Sequence, residues 1–114
     1  MIWKFIRLEL GRTGEFPSGS VSRAYLLRLP LNDQDEIDTH AFDREPHKAT
    51  VRRHWSMEPD QRGHIMRNGR DWQMRCAGHT RRLQLDSRPV RLGEQFSVVD
   101  DDGIRLPFLV ASIR

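Results

Sequence analysis

Apolar and polar residues alternate along most of this chain, and the phase of that alternation outlines a β protein. Ile6, Leu8 and Leu10 are separated by Arg7 and Glu9, the period of a strand with one face buried. A first strand is expected from about Ile2 to Leu10. Residues 11–20 hold three glycines, a proline and two serines, which reads as a loop, with Phe16 folding back onto the core. Tyr25, Leu27 and Leu29 resume the alternation, and Pro30 is expected to end this second strand because it has no N–H to give a central ladder. Ile37, Ala41 and Phe42 fall on one helical face, with Asp38 or Thr39 as N-cap and Pro46 as a stop, so the one short helix is expected over residues 38–45.

Ala49, Val51, Trp55 and Met57 share a phase that predicts a third strand, in which Arg53 is the misfit, followed by a turn over residues 57–61. Asn68-Gly69 is the pair favoured by a two-residue type I′ hairpin. That turn would set Ile65 opposite Trp72, His64 opposite Gln73 and Arg62 opposite Arg75, with Ile65, Trp72, Met74 and Cys76 inside and Arg62, His64, Gln73 and Arg75 in water. Leu83 and Leu85 suggest a further short strand. For the turn at Asp101-Asp102-Gly103, a three-residue loop with Gly103 left-handed opposes Phe96 to Phe108 and Val98 to Leu106. It suits the alternation of Ile104, Leu106, Phe108 and Val110 better than a two-residue loop. The fold class expected is all-β: a small, partly open barrel or sandwich of about seven short antiparallel strands with one short helical segment. Its core is expected to be Ile6, Leu8, Leu27, Val51, Trp55, Trp72, Met74, Phe96, Val98, Leu106, Phe108 and Val110.

At 114 residues the chain holds about one domain, taken as residues 1–114 with 31–46 as an acidic connector. Leu, Ile, Val and Phe make up 28 residues, enough for a folded core. No apolar run reaches membrane-spanning length, the opening ten residues are broken by Lys4, Arg7 and Glu9, and the single Cys76 cannot form an internal disulfide, so a cytoplasmic protein off the membrane is expected. Charge is segregated. Residues 31–46 carry one basic and six acidic groups, whereas residues 47–92 carry eleven basic and four acidic, an asymmetry that speaks to partners rather than fold. Of the 19 basic residues 17 are Arg, a skew that a GC-rich genome also produces without any selection for binding.

Phe16-Pro17-Ser18-Gly19-Ser20, Ile37-Asp38, Val51-Arg52-Arg53-His54-Trp55, Gly63-His64, Trp72, Leu92-Gly93-Glu94 and Phe108-Leu109-Val110 resemble a family of short uncharacterised alphaproteobacterial proteins with no assigned function. The likeness spans most of the chain and departs at His54, where that family often has an aromatic residue. It implies no activity and no catalytic residue.

No Walker loop, dinucleotide fingerprint, nucleophile elbow or HExxH occurs. Gly11-Arg12-Thr13-Gly14 could form an anion nest, but no helix follows it. Cys76-Ala77-Gly78-His79 is half of a zinc pair without a second cysteine, so His54 and His64 would have to complete it. Asp100-Asp101-Asp102-Gly103 lacks the closing glutamate of a calcium loop. The expectation is therefore a non-enzymatic binding module without cofactor or metal, holding a protein partner through the acidic connector and an adjacent sheet edge. The alternative is a nucleic-acid-binding small β-barrel whose basic sheet face combines Arg52, His54, Arg62, His64 and Arg75, with tryptophans near arginines able to stack bases.

Overall fold

In the computed structural model, which describes residues 1–114, the chain runs β1 (Ile2–Leu10), β2 (Ser20–Leu31), α1 (Thr39–Arg44), a 3₁₀ turn (Pro46–Lys48), β3 (Thr50–Trp55), β4 (Gln61–Asn68), β5 (Asp71–Cys76), β6 (His79–Gln84), β7 (Gln95–Val99) and β8 (Arg105–Ile113). The all-β small barrel is as expected, but it has eight strands rather than about seven and is closed rather than partly open. Each strand is antiparallel to the next, and β8 pairs back onto β1. Closure requires bending. The bulges that break the β1 register against both β2 and β8 supply part of it. Another device is Gly63, where β5 comes so near that a Cβ would lie 1.7 Å from the Arg75 carbonyl oxygen.

Inside the barrel, ten of the twelve expected core residues are buried, while Trp55 and Leu106 are partly covered and pack against them. The three-residue loop with Gly103 at φ 86° gives the expected pairs Phe96–Phe108 and Val98–Leu106. Asp38 caps α1, its Oδ1 accepting from the Ala41 N–H at 3.0 Å. Pro30 lies within β2 rather than ending it. Its carbonyl accepts from Asp38, so its missing N–H points to the side where β2 has outrun β3 and no ladder bond is lost. No helix is long and apolar enough to cross a membrane.

Three local expectations are corrected. The hairpin between β4 and β5 turns on Gly69-Arg70, with the positive φ on Gly69 alone as a type II′ turn needs. Consequently Ile65 faces Met74, His64 faces Arg75 and Arg67 faces Trp72, and Arg62 is not opposite Arg75. The two registers differ by two residues and bury the same side chains, so alternation does not choose between them. Arg67 favours the observed one, being tied to Asp43 and the Gly69 carbonyl with its guanidinium 6.0 Å from the Trp72 ring. The β5–β6 hairpin, by contrast, turns on Ala77-Gly78 with both φ values positive, and Cys76 before it is in the core while His79 after it is outside. Met57 is 99% exposed, because β3 ends at Trp55 and the chain turns there with Met57 at φ 69°.

Candidate functional site

The sheet's registers bring the expected basic residues onto one outer face. Arg52 of β3 lies directly opposite Arg62 of β4, and His64, two residues further along β4, lies between Thr50 and Arg75. Arg62 is thus the cross-strand partner of one arginine and the diagonal neighbour of another, with Cβ separations of roughly 5 and 7 Å for such positions. The row continues outward from Arg52 to Leu26 of β2 and Arg7 of β1. Arg52, Arg62, His64 and Arg75 are all exposed.

Carboxylates meet only part of this charge. Asp60, in the turn before β4, is 2.8 Å from His54 Nδ1 and 3.8 Å from Arg52 Nε, so His54 shares the face but is turned to its rim. Glu58 goes to Arg53 instead. Arg62 and Arg75 have no acidic partner within ion-pair distance. Arg53 explains its own misfit. It is buried to 9% exposure inside the barrel, where Glu58 accepts at 3.2 Å and the Trp55 ring lies 4.1 Å from its guanidinium carbon, a pairing that makes a buried charge tolerable.

Aromatic groups border the basic face, although not the ones the sequence suggested. Trp72 is in the core, with the Phe42 ring edge against it, and Trp55 packs on Tyr25 and Phe108. Trp3 is partly covered beneath Arg28 and Lys48. Phe5 points outward, 56% exposed, with the Arg28 guanidinium 5.5 Å from its ring. The sequence held the signal for Phe5, which is out of phase with Ile6, Leu8 and Leu10. Beside it a shallow cavity of about 540 Å³ is walled by Phe5, Leu26, Thr50, Arg52, Arg62 and His64.

The acidic connector has a different fate. Asp35 pairs with Arg91, Asp43 with Arg67 and Glu45 with Lys48, and Asp38 is the helix cap, so four of its six carboxylates are engaged within the fold. Every strand has a neighbour on both sides in the closed barrel. The end of β2 that outruns β3 is met by the connector itself, Leu31 bridging to Ile37 and the Pro30 carbonyl accepting from Asp38. The group of acids or metal-binding side chains close enough to share an ion is Asp100, Asp101 and Asp102. Asp100 and Asp102 accept from the Ile104 N–H and Asp101 sits 3.1 Å from His79, which is the bonding of a tight turn. The His79 contact holds the Asp101 carboxyl below its ordinary range, while burial and then Asp102 hold Asp100 above it.

No known protein family, curated protein or solved structure matches this chain.

Proposed function

We propose that the outer face of β3, β4 and β5 binds nucleic acid through its phosphates, with Arg52, Arg62 and Arg75 as the principal contacts and His64 beside them. The observation that carries this reading is the direct opposition of Arg52 and Arg62, with Arg75 on the diagonal and no acid against Arg62 or Arg75. Like charges in opposed strand positions are destabilising. A phosphate placed among the three guanidinium groups turns that cost into attraction, with the planar forks suited to its oxygens. The competing reading, a protein partner gripped by the connector and a sheet edge, has less support, since most connector acids are already paired and the barrel closes.

Phosphate binding releases condensed counterions, so affinity should fall linearly with salt on a log–log plot, by about 0.7 per phosphate on single strands and 0.9 on duplex. The test is a fluorescence titration with labelled oligonucleotides at several salt concentrations, on wild type and on the Arg52, Arg62, Arg75 triple alanine variant. A loss of roughly two to three units of slope in the variant supports the assignment. Wild-type binding no tighter than millimolar at low salt, or equal binding by the variant, removes it.

A further inference from the structure

We infer that this face takes single-stranded nucleic acid, with one unstacked base seated in the cavity beside Phe5. The inference rests on the phosphate-binding reading and adds to it the form of the ligand and the place of a base. The cavity has two unlike walls. Phe5 and Leu26 make one side apolar, while Arg52 and Arg62 make the other cationic with His64 beside them, and Thr50 of β3 lies between. A nucleotide is divided in the same way, into a flat aromatic base and a charged phosphate. Its volume of about 540 Å³ is within the roughly 300–1,000 Å³ of small-ligand pockets.

Phe5 is the residue that calls for an occupant. A phenyl ring on the outer surface of a strand gains nothing from the core, and Arg28 lies against it. That guanidinium lies 5.5 Å from the Phe5 ring and 5.7 Å from Trp3. Arg28 forms no ion pair, and its buried Nε has no hydrogen-bond partner, so no acid answers the charge that lies against Phe5. A base stacked on Phe5 would carry its phosphates past Arg28 on one side and Arg52 and Arg62 on the other. Duplex bases do not fit this arrangement. They are stacked inside the helix, out of reach of a shallow depression on a convex barrel wall, whereas a single strand can splay a base onto an aromatic platform.

The experiment compares a labelled dT12 strand, the same strand with abasic sites throughout, and a 12-base-pair duplex, each titrated at low and moderate salt. Stacking by one base is worth roughly 1–3 kcal/mol, a factor of about 5 to 150, so dT12 is expected to bind tighter than the abasic strand by that factor. Phe5→Ala should bring dT12 down to the abasic affinity without changing the salt slope. Phe5→Leu, which keeps apolar bulk, should do the same, and Phe5→Tyr should keep most of the preference. Equal binding of dT12 and abasic strands by wild type, with a slope that the triple alanine variant reduces, overturns the base site and leaves phosphate binding standing. Duplex binding as tight as dT12 overturns it likewise. Failure of every probe to bind at low salt removes both readings together.

Discussion

Replacing Gly63 by alanine should be among the most damaging single-methyl changes this barrel can suffer. The new Cβ would lie 1.7 Å from the Arg75 carbonyl oxygen, 2.7 Å from its carbon and 3.0 Å from the Cys76 Cα. All three are backbone atoms, so no side chain can rotate away. Reaching even 3.0 Å from the oxygen requires β4 and β5 to separate by at least 1.3 Å, which takes a hydrogen bond of about 2.9 Å beyond 4 Å and ends it. One or two ladder bonds around the Gly63–Cys76 pair are then lost, at about 1–3 kcal/mol for each buried group left unpaired. Alanine returns up to about 1 kcal/mol by restricting the unfolded chain. The net expectation is a loss of about 2–5 kcal/mol, against a total stability of roughly 5–15. Gly14→Ala is the control, since nothing lies within 4 Å of its Cβ position and its φ is not left-handed. Its expected effect is neutral or slightly stabilising. Thermal and urea unfolding of both variants decide the matter. At roughly 3–6 °C per kcal/mol for a domain of this size, Gly63→Ala should melt at least about 6 °C lower. A variant melting within 2 °C of wild type, as roughly estimated from the same scaling, would refute the close approach of β4 and β5.

Two further outcomes follow from charge. Without ligand, Arg62→Thr should stabilise the protein at low salt by about 0.2–1 kcal/mol through relief of the Arg52 repulsion, and the gain should shrink as salt is raised. A variant less stable than wild type at every salt concentration would show that Arg62 is compensated by some group of the fold. On the alkaline side, burial holds the Tyr25 hydroxyl above its ordinary 10.0 and the Cys76 thiol above its ordinary 9.0. Both stay protonated in the fold at pH values where the unfolded chain has released its protons. Their stability contribution is therefore full below about pH 9 and falls as pH rises towards the raised values, by up to about 1.4 kcal/mol per pH unit and group. Melting temperatures from pH 8 to 10.5 should fall less steeply in Tyr25→Phe and Cys76→Ala than in wild type, and parallel curves would contradict the burial of both groups.

Alternation carried the sequence reading a long way because a barrel wall obeys it nearly everywhere: every second residue faces a filled interior. It was blind where two answers share a parity. The hairpin at Asn68-Gly69-Arg70 can close on either pair and bury the same side chains, so the register, and with it the partner of Arg62, was settled by the Arg67 tether to Asp43, a residue 24 positions away. It overran at Met57, where the phase continued past the last ladder pair. Arg53 kept the phase of the core while breaking its chemistry, and only Glu58 folding back with Trp55 beneath it makes that position intelligible. The site was legible as a set of arginines and histidines sharing an outward phase. Phe5 lies out of phase with Ile6, Leu8 and Leu10 and so faces outward, but alternation says nothing of which groups on neighbouring strands gather around an outward ring.

The arginine excess admits two origins, which differ in what they say about placement. A mutational bias sets how many arginines a chain carries and scatters them over the surface, where most are harmless. Stability then works against those that do harm. In this barrel the outward positions are unconstrained by packing, because the interior is filled by the core cluster and closure leaves no edge to protect. An outward arginine opposite another arginine therefore has many neutral or acidic replacements that raise stability by a few tenths of a kcal/mol or more. The chain answers some outward arginines with an acid, as with Arg7 and Glu9, Arg88 and Glu94, Arg91 and Asp35, and Arg52 itself with Asp60 at 3.8 Å. On β3 to β5 it sets Arg52 against Arg62, adds Arg75 on the diagonal, and turns the nearby Glu58 inward to Arg53. Codon bias speaks to the number of arginines and not to their placement, and the placement of Arg52, Arg62 and Arg75 is what the proposed phosphate contacts would use.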